Sequence, residues 1–267
     1  MRSEAPDRAF ELADIARTEL RDLLDLQLSP LGLCAIEALG PRPGEVIVDV
    51  GCGCGETTLQ LAQAVGPLGR VIGVDIAPRS LAAARERAAG LSQARFVEAD
   101  AAALDLPAAS VDGIYSRFGV MTFADPVAAF RHFRWMLKPG GRLAFVCWRA
   151  LAENELERLP LVAAGLGTMV DPAPFSFADP ARIATILEAA GFEAMECRPH
   201  DAVVSSGGLE AMVEVLLRVG ALGRILRDRP QLRGDAEPRL RAALAAKARG
   251  GAVGLAAATW IVTARRG

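Results

Sequence analysis

From Val46 to Trp148 the chain repeats one pattern, a short apolar run followed by a helical segment, and no other feature constrains the fold as strongly. Val46-Ile47-Val48-Asp49-Val50 leads into the loop Gly51-Cys52-Gly53-Cys54-Gly55, and residues 57–65 read as the helix behind it. Residues 70–75 form a second strand with a helix over 78–89, and residues 95–100 a short third strand. Residues 111–116 form a fourth strand with a helix over 126–137, and residues 142–148 a fifth after the turn Lys138-Pro139-Gly140-Gly141. Strands that are apolar throughout are buried on both faces, so the pattern predicts an α/β fold with a parallel sheet between two helical layers. Ligands of such sheets sit beyond the carboxyl ends of the strands, where strand order reverses.

On either side the signal changes. Residues 7–26 carry an amphipathic helical pattern and residues 30–39 a second, shorter helix ending at Gly40-Pro41. Residues 1–40 are therefore expected to form an N-terminal helical lid on a domain spanning 41–267. Residues 150–180, rich in Pro and Gly, and residues 205–250 read as insertions, the natural place for a substrate cap. Between and after them come a helix over 181–190, a sixth strand over 192–198, helical segments over 209–228 and 233–249, and a closing strand over 256–264.

Composition narrows the partners. A net charge of −2 offers no general attraction to nucleic acid or an anionic membrane. No apolar run reaches the roughly 18 residues of a spanning helix. The stretch before Leu23 is charged throughout and lacks the apolar core of a secretion signal. Five cysteines, an odd number scattered along the chain, do not form a disulfide framework, so a cytoplasmic protein with reduced thiols is expected.

The loop after the first strand holds the chemistry. Cys52-x-Cys54 has neither the spacing of a zinc pair nor that of a redox pair, and no second pair exists, so both cysteines read as compact fillers and no metal is expected. Glycine at 51, 53 and 55 lets backbone approach a ligand closely. Dinucleotide enzymes use a related turn, but here Asp49, Asp75 and Asp100 lie at or near the ends of the first three strands. Carboxylates would repel a pyrophosphate at that entrance and suit a ligand with ribose, adenine and positive charge. S-adenosylmethionine has those groups and no phosphate.

The segments VIVDVGCGCGETTLQLA, VIGVDIAPRSLAAARERA, FVEADAAALDLPAASVDGIYSRFGVMTFADP and LKPGGRLAFVCW resemble successive motifs of class I S-adenosylmethionine-dependent methyltransferases. They are similar in particular to the ubiquinone/menaquinone-biosynthesis-like branch of small-molecule enzymes. The resemblance spans about residues 44–150. It implies a Rossmann-like three-layer sandwich with a seven-stranded, mostly parallel sheet, N-terminal helices and helical cap insertions. Carried over by position, it places Asp49, Gly51 and Gly53, with Cys52 between them, around the methionine moiety. Asp75 would take the ribose hydroxyls, Ile76 the adenine face, and Asp100 and Ala101 the adenine edge. Arg117 and Phe118 would lie at the methionine end, facing the methyl group.

Several positions keep two readings. Asp75 and Asp100 are each a ligand contact or a helix cap, and Asp49 orients the loop or touches the ligand. Arg117 binds a carboxylate or is a solvated loop charge. Met121 and Trp148 line a substrate pocket or pack in the core, and His200 is a base near the cap or a bystander. No catalytic residue is identified. The expected activity is methyl transfer to the O, N or C of a small molecule, mainly by proximity and orientation, releasing S-adenosylhomocysteine. A catalytically silent S-adenosylmethionine-binding module and an arsenic methyltransferase using cysteine thiolates are the alternatives. A homodimer is the assembly considered.

Overall fold

The computed structural model describes residues 8–267. Seven strands form a single sheet in the order β3-β2-β1-β4-β5-β7-β6. They are β1 (Val46–Val50), β2 (Arg70–Asp75), β3 (Ala94–Glu98), β4 (Val111–Arg117), β5 (Leu137–Trp148), β6 (Glu193–Val204) and β7 (Leu255–Arg265). β1 to β5 pair in parallel, and β7 runs antiparallel between β5 and β6. This is the mostly parallel, Rossmann-like sheet expected. Strand order reverses between β1 and β4, where Asp49 lies opposite Tyr115 and Val50 opposite Ser116.

Helices α2 (Arg21–Leu39), α3 (Glu56–Val65) and α4 (Pro78–Arg87) cover one face, and α5 (Pro126–Met136) and α7 (Pro180–Ala189) the other. Side chains alternate across a strand, so Ala144 and Phe145 sort to opposite layers. On the Tyr115 side, Tyr115 Oη donates to the carbonyl of Gly32 at 2.9 Å. The contact is that close because position 32 has no side chain: a Cβ there would lie 2.9 Å from Arg117 Cδ. On the opposite side Phe130, Phe145, Phe177 and Phe192 form one aromatic cluster that anchors α5 and α7.

The N-terminal segment divides differently from the sequence pattern. Its break falls at Leu20, separating α1 (Arg8–Glu19) from α2, and α2 continues through Pro30. Proline removes one backbone hydrogen bond, to the carbonyl of Leu26; Leu26 is exposed, so water can satisfy the freed group. α2 buries Leu24, Leu31, Ala35, Ile36 and Leu39 and belongs to the core. α1 lies instead against α4 and a later helix, outside the sheet layers.

Past β5 the insertions are more helical than their composition suggests. Residues 150–180 contain α6 (Glu155–Ala164), and the helical stretch 209–228 splits into α8 (Leu209–Arg218) and α9 (Gly220–Asp228). The split has a cause: the buried carboxylate of Glu157 accepts from Ala221 N at 2.7 Å, capping α9 from another helix. A Cβ on Gly220 would come within 2.9 Å of that carboxylate. α10 (Arg233–Ala245) packs on α6 and α8 to complete a helical cap beyond β5 and β7.

Candidate cofactor and acceptor site

The loop between β1 and α3 is built by contacts that allow no side chain. Gly51 has φ +71°, and a Cβ there would stand 2.8 Å from Gly119 Cα on the neighbouring loop after β4. Gly119 was not singled out from sequence, although it follows Arg117-Phe118 directly; its own Cβ would strike Val50 O at 2.5 Å. Gly53 differs. Its φ is +52° and nothing lies within 4 Å of its absent Cβ, so the loop presents bare backbone to open space.

Acidic groups surround that opening. Asp75 Oδ2 accepts from Gly53 N at 2.8 Å and Oδ1 from Ala77 N at 2.9 Å, so this carboxylate ties the loop to the end of β2. It is half-buried, and each oxygen retains a lone pair for a ligand hydroxyl. Ile76 beside it is 55% exposed, a large apolar side chain uncovered at the mouth. Asp100 Oδ1 accepts from Ala102 N at 2.9 Å, capping the short 3₁₀ turn Ala101–Ala103; its carboxylate is otherwise exposed and Ala101 is buried.

Asp49 is fully buried behind the loop. Thr57 Oγ1 and Thr58 Oγ1 donate to its Oδ2 at 2.7 and 2.6 Å, while Oδ1 is buried with no hydrogen-bond partner. Burial pushes its pKa up to about 6, against the opposing threonine hydroxyls and the charge of Arg117. An unpaired carboxylate oxygen at this depth is rare among buried polar groups.

Arg117 is no solvated loop charge. Its Nη1 donates to Glu56 Oε2 at the start of α3, and its Nη2 stands 3.7 Å from Asp25 Oδ1 on α2. Asp25 Oδ2 in turn meets Arg87 Nη2 at 2.8 Å. Burial, and then repulsion from Glu56, raise Asp25 to about 6. Sequence reasoning missed Asp25 and Glu56, because one helix carries each and no motif joins them. Phe118 follows with φ +60°, a left-handed conformation rare outside glycine, and its ring stacks on Trp148 at 4.0 Å between centroids. Asn154 fixes the exit of that strand by donating to the carbonyls of Arg149 and Ala150 and accepting from Ala258 N.

Other candidates separate. Trp148, Thr259 and His200 lie on one row across β5, β7 and β6, so they share a sheet face. His200 Nε2 is buried without a partner. Met121 is buried in the main core, its carbonyl accepting from Ser176 Oγ. Cys52 points away from the opening into a small cluster with Leu81, Ala84, Ala88 and Phe96, and burial pushes its thiol well up. Its backbone stays in the loop, its N–H donated to Val74 O at 3.1 Å.

This donor set, with bare glycine backbone, an orphaned buried carboxylate, a half-buried acid at the end of β2 and an exposed apolar neighbour, fits S-adenosylmethionine. Residues 47–141 match the family model described as a methyltransferase domain. Those residues thus carry a methyltransferase domain, and the seven-stranded sheet around them has the Rossmann-like fold of methyltransferases. Among curated proteins it resembles the demethylmenaquinone methyltransferase of Staphylococcus aureus, with 35% identity over 103 residues, 39% of this chain and 43% of that protein. The match thus spans less than half the length of that relative. Among solved structures it resembles the YcgJ protein of Bacillus subtilis, with TM-score 0.59, 19% identity, and 88% of this chain and 97% of that chain covered. It also resembles an S-adenosylmethionine-dependent methyltransferase of Aquifex aeolicus, with TM-score 0.51, 22% identity, and 76% and 93% covered. Among the described residues no helix is long and apolar enough to cross a membrane.

Proposed function

We propose that this chain transfers the methyl group of S-adenosylmethionine to a small-molecule acceptor. The observation that carries the reading is the opening over Gly53, where the Asp75 carboxylate holds the loop and the unpaired Oδ1 of Asp49 lies behind it. Bound there, the cofactor supplies a methyl group already activated on a sulfonium. The residues of the chain then bind and orient. Asp75 takes the ribose hydroxyls, Ile76 covers the adenine, and Asp100 accepts from its amine. Asp49 offers its free oxygen to positive charge, and the Arg117–Glu56 pair fixes the methionine end.

We assign the acceptor to the side of Phe118 and Trp148, whose stacked rings give that side an apolar face. That face supports an amphipathic acceptor rather than a highly charged one. Excluding water and aligning the attacking atom supply most of the rate, because the donor needs little further activation. His200 is the side chain nearest in kind to a base, its Nε2 buried and unpartnered on the Trp148 face. The arsenic alternative gains nothing, since burial raises the thiols of Cys52 and Cys147 well above their ordinary value. The five free cysteines support a reducing, cytoplasmic setting.

Calorimetric titration with S-adenosylhomocysteine, with NAD as control, tests the cofactor. Binding of NAD alone would sink the reading. Turnover across quinol, phenol and amine acceptors, with demethylmenaquinone among them, is followed as S-adenosylhomocysteine release. Cofactor binding without any turnover would favour a silent binding module.

A further inference from the structure

The two N-terminal helices are held by different forces. α2 buries four leucine and isoleucine side chains and Ala35 in the core. α1 buries only Ala13, Asp14 and Ala16, while Phe10 and Ile15 are half-buried and Leu12 is 40% exposed. No side chain of α1 joins a core cluster; the first to do so is Leu20, at the break. Hydrophobic burial of two alanines holds a helix weakly.

One polar contact compensates. Asp14, 1% exposed, reaches the N-terminus of α4. Its carboxylate accepts from Arg79 N at 2.9 Å, Ser80 N at 3.0 Å and Ser80 Oγ at 2.5 Å. α4 has no side-chain cap of its own, because Ala77 occupies that position, so Asp14 does from another helix what a local Asp or Ser would do. The ion pairs of α1, Glu11 with Arg79 and Glu19 with Arg218, lie at the rim and contribute little. At the far side α1 meets α9, where burial and then the charge of Arg17 lower the pKa of Arg227.

The placement gives the contact a role. Ser80 lies five residues past Asp75, at the ribose and adenine end of the site. The other end of α1 rests on the glycine loop, where the Cys54 thiol meets the carbonyl of Arg17 at 3.9 Å. α1 therefore runs beside the opening, from the glycine loop to the N-terminus of α4.

We infer that α1 alone is a swinging cover for this site, hinged at Leu20 and latched by Asp14 to the N-terminus of α4, and that release of the latch paces cofactor exchange. The inference rests on the cofactor reading above, and it narrows the expected lid of residues 1–40 to the segment before the hinge, with α2 fixed. Few buried apolar contacts, and one buried carboxylate as the main polar fastening, mark a segment of low local stability.

Cys54 under α1 reports opening, and Cys34 on α2 is the internal control. In ligand-free protein, labelling with N-ethylmaleimide resolved by peptide mass spectrometry should run roughly tenfold faster at Cys54 in Asp14→Ala, with Cys34 unchanged. S-adenosylhomocysteine should dissociate faster from that variant by a similar factor, with Asp14→Asn intermediate. Equal Cys54 labelling in folded Asp14→Ala, or an equal rise at Cys34, overturns the hinge. If Asp14→Ala does not fold, Ser80→Ala removes one of the three bonds and should speed Cys54 labelling by a smaller factor; no change there also overturns it. Absence of S-adenosylhomocysteine binding to the unaltered protein would overturn the cofactor reading instead, and the ligand-free labelling still judges the hinge.

Discussion

The half of the molecule proposed to hold the cofactor, around the ends of β1, β2 and β4, and the half proposed to take the acceptor, around β5, β7 and the cap, are built on different principles. In the first, polar groups at fixed backbone positions do the work. Asp75 ties Gly53, Thr57 and Thr58 hold Asp49, and Gly51 meets Gly119 at a distance that forbids a side chain. In the second, an aromatic pair and apolar helices pack together, with His200 Nε2 buried beside them without a partner. A site that recognises one invariant ligand can be written in backbone geometry, whereas a site for a particular acceptor is written in packing. Substitutions in the two halves should therefore fail in different ways.

The largest effect is expected at Gly51→Ala. The new methyl meets Gly119 Cα at 2.8 Å with φ +71°, and overpacking plus the left-handed penalty should cost about 2–5 kcal/mol in denaturant unfolding and abolish S-adenosylhomocysteine binding. A fully stable, binding-competent variant would show that the loop is softer than this contact implies. Next comes Asp75→Ala, expected to weaken cofactor binding by about 1–3 kcal/mol in calorimetry. Unchanged affinity in the folded variant would remove the ribose assignment.

A pH series sharpens the comparison further. Asp49 titrates near 6 in the folded chain against 3.8 when unperturbed, so its native state holds a proton that the unfolded chain releases. Stability contributed by this group should fall as pH climbs from about 4 through about 6. Affinity for the cationic cofactor should rise over the same window as the carboxylate ionises. Asp25 titrates in the same range, so Asp49→Asn should reduce the slope of affinity against pH and Asp25→Asn should share the remainder. A slope unaltered in both variants would assign it to neither carboxylate.

Smaller effects test the acceptor half. Trp148→Ala should lose the stacking with Phe118 and raise the acceptor KM, while S-adenosylhomocysteine affinity moves by less than about threefold. A large loss of cofactor affinity instead would merge the two halves. Smallest of all, Cys52→Ala should cost about 1 kcal/mol of stability and leave cofactor affinity in place, because its side chain fills a pocket under α4.

Legibility crossed that division. The strand-and-helix grammar located all seven strands, the closing strand to within a residue at each end, and the acids at or near the ends of β1 to β3, because alternation and glycine placement are local properties of the chain. Asp14, Asp25 and Glu157 were not legible: each acts on a helix distant in sequence, and nothing beside it in the chain signals the partner. Gly119 had a faint signal, a glycine two residues past β4. The insertion over 150–180 read as irregular because its proline and glycine residues outweighed the helical pattern of Glu155–Ala164, where Pro160 sits inside the helix. The joined helix over 209–228 was divided by a carboxylate from elsewhere.

Strand β7 has a further consequence. It lies between β5 and β6 although it follows both in sequence, with the whole of α8 to α10 intervening before it. As the chain leaves the ribosome, β1 to β5 can zip together in order of appearance, while β6 has no neighbour to pair with. Only when residues 255–265 arrive does the sheet acquire its last two strands, through a closure of long loop length. The cofactor half can thus assemble early, and the acceptor half is the slow, late event of folding, waiting unpaired on a single returning strand.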